Sequence, residues 1–323
     1  MTPTSIRGID KPISPIALGT AFYRLETAEL HFEVLDEFMV SGGTVIDSAR
    51  TYGQSEDVLG RWIAGRQEIR KRLVLISKCG HGPQLKLPEK NFAASVREEL
   101  EATRETLNTD VVDLYILHRD NQEMPVWTIL EPLHDALADG HVRALGASNW
   151  EYRRVIEANA WAEQQGLAGF AVVSNTLSLA RPAAAFYAGL VQADPIGEQW
   201  HRDTGIPLLP WSSQARGFFT GAWTREMLEN PAIATPEAHT FNSRMLKVYA
   251  TDDNFERLRR AEELGARKGG YTAMEIGLAW LTHRPFPIVP VVGPRTVEEL
   301  ASCRRSIELE LTEEECKWLD LGD

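Results

Sequence analysis

The stretch RLVLISKCG, residues 72–80, is a short apolar run that ends on an amine, Lys78. A near-continuous apolar run of this length reads as a strand buried on both faces, as in a parallel sheet. Two neighbouring runs end in the same manner. GGTVID (42–47) stops at Asp47 and VDLYILH (112–118) stops at His118, while Tyr52 lies just past the acid in SARTYG (48–53). In a barrel of parallel strands the chemistry gathers at the carboxyl ends. An acid, a phenol, an amine and an imidazole delivered to one rim form a proton-transfer set.

Five further runs extend the series: SPIALGT (14–20), VRALGAS (142–148), FAVVSN (170–175), IPLLPW (206–211) and PIVPVVG (287–293). Segments with helical spacing separate most of them. Residues 27–41, 91–107, 127–138, 152–164 and 255–268 each carry one apolar face, the second with a Ser95-x-x-Glu98 capping-box pattern. Strand followed by helix, repeated eight times over 323 residues, predicts a (β/α)8 TIM barrel, with residues 1–323 as a single domain. A doubly wound sheet is the competing arrangement, but no G-x-G-x-x-G follows the first run. Two connections are long enough to close over a ligand. Residues 176–205 hold a helical AAAFYAGLV patch and a second helix around EQWHRD, and residues 212–253 are rich in Gly, Ser, Pro and Asn.

The formal charge of −12 opposes a nucleic-acid surface, which needs a basic stripe. No apolar stretch is long enough to span a bilayer, and MTPTSIRGIDKPIS lacks the apolar core of a secretion signal. Cys79, Cys303 and Cys316 are too scattered for a disulfide framework or a zinc site, so a cytoplasmic protein without a structural metal is expected.

The set Asp47, Tyr52, Lys78 and His118 resembles the catalytic tetrad of the aldo-keto reductases. The words around it agree: LGT at 18–20, VIDSARTYGQSEDVLGRW, LVLISKCG, VDLYILHR, LGASNW and VVGPRTVEEL. The resemblance implies NADPH as cofactor and reversible reduction of a small-molecule aldehyde or ketone. In such chemistry Tyr52 gives a proton to the forming alkoxide, and Lys78 lowers the phenol's pKa from near 10. Asp47 keeps Lys78 charged, and His118 aims the substrate oxygen. Taken singly, Asp47 and Lys78 also read as a structural ion pair, Tyr52 as a packing residue and His118 as a core histidine.

Further residues carry over from the resemblance. Gly19 and Thr20 correspond to a ribose contact, and Ser148 with Asn149 to the pair holding the carboxamide, although Ser-Asn after a strand also reads as a helix cap. Ser174 stands where Gln is usual, and Trp211 where an aromatic ring stacks on the nicotinamide. Ser212, Ser213, Gln214, Arg216 and Gly217 match the loop over the pyrophosphate, with Arg244 as a phosphate clamp or surface charge. Gly293 and Arg295 fall where the adenosine 2′-phosphate is met. Glu299 replaces a common Gln, Ser302 a Glu, and Cys303 an adenine-contacting Asn. Tyr23 and Trp150 are expected to wall the substrate pocket with Tyr52 and His118, alongside His81 and Arg119. Arg119 is a candidate partner for Asp113 or Asp120. A cofactor-binding sensor with little turnover, or a sugar-phosphate isomerase or lyase, are the competing functions.

Overall fold

A computed structural model describes residues 4–82, 89–229 and 241–322, so residues 230–240 of the long connection at 212–253 lie outside the described residues. Among these, seven strands form one all-parallel sheet in the order β6-β5-β4-β3-β2-β1-β7. They are β1 Ala17–Gly19, β2 Val45–Asp47, β3 Val74–Cys79, β4 Val112–Leu117, β5 Val142–Ser148, β6 Val172–Ser174 and β7 Val291–Val292. The first six follow one another in space as in sequence, and β7 returns to β1.

The seventh run departs from expectation. Residues 206–211 form no regular strand; Leu208 makes only isolated parallel bridges, to Val173 on β6 and to Ile288. Pro207 and Pro210 each lack the amide hydrogen a ladder needs. Pro287 and Pro290 shorten β7 in the same way. The remaining donors are used: Leu209 N donates to Val173 O (2.8 Å), Leu208 N to Pro287 O (3.0 Å) and Val291 N to Pro210 O (3.0 Å).

Period-two alternation splits the strand side chains between two cores. Ala17, Val45, Val74, Ile76, Leu114, Ile116, Ala144 and Val172 meet in one buried cluster, joined by Leu209 and Val289 from the interrupted runs. Ile6 and Ile9 cover it. The alternate residues, among them Leu18, Ile46, Leu75, Tyr115, Leu145 and Val173, belong to the larger core shared with the helices. All eight apolar runs therefore contribute to one inner cluster, although seven are regular strands.

The helices α1 Ala28–Val40, α4 Glu89–Thr106, α5 Val126–Ala138 and α6 Tyr152–Gln164, and a later helix Asp252–Arg267, occupy the expected segments, with the shorter α2 Ser55–Ile63 and α3 Gln67–Arg72 between the first two. Ser95 proves to lie inside α4, where its Oγ donates to Glu99 Oε1 at 3.4 Å instead of capping. Capping boxes form at Thr272 with Glu275 and at Thr312 with Glu315. The AAAFYAGLV patch is not helical. EQWHRD does fall in a helix, α7 Pro195–Thr204, started by Asp194, whose side chain accepts from Gly197 N at 2.7 Å. Among the described residues no helix is long and apolar enough to cross a membrane, and no group of His, Cys, Asp or Glu is placed to hold a metal ion.

Candidate active site

Parallel register delivers the polar residues to one rim. Asp47 closes β2, Lys78 lies on β3 opposite Ile116 of β4, and His118 follows β4 directly, its amide donating to Cys79 O at 2.7 Å. Tyr52 stands on the turn before a short helix, α2 Ser55–Ile63. Buried Glu56 of α2 pins that turn: it accepts from Arg50 (2.5 Å), Ser77 (2.6 Å) and Thr103 (3.0 Å). The Lys78 ammonium then has three partners. It lies 2.6 Å from Asp47 Oδ1, 2.9 Å from Ser48 O and 3.2 Å from the Tyr52 hydroxyl. The Tyr52 and His118 rings meet edge to face with centroids 5.6 Å apart. The four groups thus converge on one point.

Burial decides their electrostatics. It pushes the Tyr52 phenol above its ordinary 10; the nearby Lys78 charge pulls it down, but less strongly. The expected lowering by the lysine is therefore outweighed in the free protein, and Tyr52 is a neutral hydrogen-bond donor. For Lys78, burial favours the neutral amine, yet Asp47 and Tyr52 together hold the ammonium above its usual range. Burial pushes the Asp47 carboxyl up against the pull of Lys78. Burial, then the charges of Lys78, His81 and Arg119, hold His118 well below 6.5. Its imidazole is neutral.

Asp47, Tyr52 and His118 open onto a cavity of about 1010 Å³ that continues to Arg295, Glu299 and Cys303. Gly19, Ser148, Asn149, Gly293 and Ser302 also line it, as do Trp211, Ser212, Ser213, Gln214, Arg216 and Gly217. The wall also holds Phe22, which sequence reasoning missed, and Tyr187, Leu190, Phe219 and Phe241 from the two long connections expected to close over a ligand. Tyr187 sits in the AAAFYAGLV patch, whose apolar spacing was the available signal.

Several expected wall residues are placed elsewhere. Tyr23 is buried and stacks on His31 of α1, centroids 4.0 Å apart. Trp150 is buried between Phe170 and the Arg154 guanidinium. Thr20 is also buried, its hydroxyl spent on Asp47 O (2.9 Å) and Ser55 Oγ (2.5 Å). Ser174 contributes its carbonyl, which accepts from Ser148 Oγ (2.8 Å) and from the Trp211 indole (3.1 Å). Arg244 lies over the Tyr187 ring, 4.7 Å from its centroid. Neither suggested acid pairs with Arg119. Asp113 is taken by Lys11 and Arg70, Asp120 by Arg154, and Arg119 donates to Gly189 O at 2.5 Å. His81 stands beside His118, ring centroids 4.8 Å apart.

Ser148 and Asn149 are not helix caps, since α6 starts at Tyr152 after Glu151. The Asn149 amide donates to His118 O (3.2 Å) and Ser148 Oγ (3.0 Å), and its carbonyl accepts from Val191 N (3.2 Å). Left-handed backbone at Asn149 (φ 58°) allows this.

The loop after Trp211 is built around unusual backbone. Ser212, Ala215 and Arg216 all take positive φ, followed by Gly217 at 88°. Ser213 Oγ anchors it by donating to Val291 O at 2.6 Å. Arg216 ends with its guanidinium 4.2 Å above the Phe186 ring, and its Nε is buried with no hydrogen-bond partner among the described residues. Arg216 also lines the cavity, so a guanidinium charge stands where an anionic group could be met. That fits the pyrophosphate of a dinucleotide lying along the cavity.

The sequence model of the Aldo/keto reductase family matches residues 15–321, nearly the whole chain. The chain belongs to the aldo-keto reductase family. This aldo-keto reductase is 31% identical to norsolorinic acid reductase stcV of Emericella nidulans, over 94% of its own length and 76% of that protein's. It is 26% identical to the uncharacterized oxidoreductase YrpG of Bacillus subtilis, covering 95% and 91%. In fold it is similar to the glycerol dehydrogenase AKR11B4 of Gluconobacter oxydans, with a TM-score of 0.75 at 23% identity over 99% of this chain and 95% of that one. It also resembles the thermostable aldo-keto reductase Tm1743, with a TM-score of 0.71 at 23% identity over 99% of both chains.

Proposed function

We propose that the chain is an NADPH-dependent carbonyl reductase, reducing an aldehyde or ketone to an alcohol with Tyr52 as general acid. One observation carries this: the Lys78 ammonium bonds the Tyr52 hydroxyl and the Asp47 carboxylate together, at 3.2 and 2.6 Å. The reduced nicotinamide, when bound, supplies a hydride to the carbonyl carbon. Tyr52 holds the proton that the new alkoxide needs and delivers it to that oxygen, and the Lys78 charge stabilises the phenolate left behind. Neutral His118 donates to the same oxygen and fixes its angle. Asp47 keeps Lys78 charged and in place.

The cofactor would lie along the cavity wall. Trp211, fixed by its indole bond to Ser174 O, offers a face for the nicotinamide. Ser148 and Asn149 flank that end. Gly19 lets β1 pack closely on β7 there, because a Cβ on it would come within 2.9 Å of the Val291 side chain. The 212–217 loop with Arg216 would meet the pyrophosphate, and Gly293 with Arg295 the adenosine phosphate. Thr20, Ser174 and Arg244 would act from behind the wall or at its rim. Tyr187 and Phe241 give the mouth an apolar face, which favours carbonyls bearing apolar groups. The same reading takes residues 1–323 as one domain, and the Leu208 bridges as the seventh stave of a closed (β/α)8 barrel. It also makes the protein a cytoplasmic enzyme acting on small molecules rather than on nucleic acid.

Mixing the protein with NADPH and a panel of aldehydes, and following the nicotinamide absorbance, tests the proposal. Consumption with at least one substrate is expected. Cofactor binding, seen as quenching of Trp211 fluorescence, without consumption would replace the enzyme by a sensor. Activity on a sugar phosphate without nicotinamide would point to an isomerase or lyase.

The pH dependence has a definite shape. The working forms are neutral His118 and protonated Tyr52, whose pKa values are displaced below 6.5 and above 10. At saturating cofactor and substrate, kcat for reduction should stay flat between these limits. It should fall on the acid side as His118 charges, and on the alkaline side as Tyr52 ionises. An alkaline midpoint near neutrality would show that the lysine, not burial, governs the phenol.

A further inference from the structure

The cavity that Tyr52 opens onto is also lined by two opposed charges. Arg295 follows β7, and its guanidinium lies 5.2 Å above the exposed Phe22 ring, with no carboxylate at ion-pair distance among the described residues. Glu299 stands in the first turn of the helix Val297–Glu308 and lines the same corner. Its Oε2 accepts from the Arg295 backbone amide at 2.7 Å, while its own amide donates to Thr296 Oγ1 at 3.2 Å. Glu298 adds a second acid to that turn.

A helix start beside an arginine would ordinarily suit a phosphate, because free amides and the helix dipole both favour an anion. Here the chain's own carboxylate takes the Arg295 amide that a phosphate would use. A phosphate monoester entering this corner gains the Arg295 guanidinium but meets the Glu299 charge and loses that amide. A ribose with a free 2′-hydroxyl meets no such conflict: its hydroxyl can donate to the carboxylate.

We propose that Glu299 is a specificity-determining residue for the cofactor, offsetting Arg295 so that the protein accepts NADH as well as NADPH. This rests on the nicotinamide reading above and deepens it. Arg295 draws the 2′-phosphate, and the Glu299 carboxylate, bonded to the Arg295 amide, opposes it. Both residues are exposed, so added salt weakens the opposition.

The test is a binding titration, read by tryptophan fluorescence and by calorimetry, of wild type, Glu299→Gln and Arg295→Ala with NADH and NADPH. Wild type should bind the two within about tenfold of each other. Glu299→Gln, which keeps an oxygen able to accept from the Arg295 amide, should tighten NADPH on the order of tenfold without tightening NADH. Arg295→Ala should weaken NADPH alone. Adenosine 2′-monophosphate should follow NADPH across the three proteins. An unchanged NADPH-to-NADH ratio in Glu299→Gln, or a wild type that binds NADPH about a hundredfold more tightly than NADH, overturns the proposal. Failure of wild type to bind either nucleotide overturns the cofactor reading itself, and this inference with it.

Discussion

Tyr52→Phe is expected to lower kcat for carbonyl reduction by about 10²- to 10⁴-fold, the usual contribution of a positioned general acid. The phenyl ring keeps the volume of the phenol and removes one hydrogen bond, the 3.2 Å contact from Lys78. Lys78 retains Asp47 and Ser48 O as partners, so the ion pair and the surrounding packing stay in place. Cofactor affinity should therefore remain close to wild type, and single-turnover kinetics should localise the loss in the chemical step. Full activity in this variant would mean that the proton comes from another group. His118, whose ring centroid lies 5.6 Å from that of Tyr52, would be the next to test.

Lys78→Met should damage both stability and turnover. Asp47 is 4% exposed, and Lys78 is the cation paired with it. Removing one member of a buried pair leaves an uncompensated charge, a loss of about 3–5 kcal/mol in unfolding free energy. Part of that is relieved if Asp47 takes up a proton, so the variant should be less destabilised as the pH falls. Chemical denaturation at two pH values reads this directly. The double variant Asp47→Asn with Lys78→Met removes the stranded charge and should recover much of the stability while leaving turnover low. Recovery of activity in the double variant would show that the ammonium is structural and takes no part in proton transfer. Equal stability of the single variant and wild type would contradict the burial of the pair.

The apolar runs made most of the sheet legible. A strand buried on both faces is apolar along its whole length, and that is a local property of the chain, visible at β2, β3 and β4. The runs at 206–211 and 287–293 read equally well, yet their prolines break the ladder into the Leu208 bridges and a two-residue β7. Hydrophobicity reports burial, whereas strand assignment needs donors, and proline supplies none. The tetrad was legible for a related reason. Residues that end consecutive parallel strands must share a rim, whatever the details of packing.

Side-chain direction in the loops was not legible. Tyr23 and Trp150 read as pocket walls, but His31 draws one ring into a stack and Phe170 with Arg154 encloses the other. Conversely, Phe186 and Tyr187, in a patch with helical spacing, instead face the Arg216 guanidinium. Ser95 carried a capping pattern with no helix start beside it, because α4 had already begun at Glu89.

From the chain of residues alone came the α/β class, the parallel strands, the family, and the four polar groups that meet at one rim. Each depends on periodicity or on strand ends, which neighbours in sequence specify. The folded molecule alone decided that burial outweighs the lysine at Tyr52, that Arg216 is left without a partner for its Nε, and that Glu299 occupies the Arg295 amide. Desolvation and orphaned donors depend on segments far apart in the chain closing around one atom, and no local pattern encodes that closure.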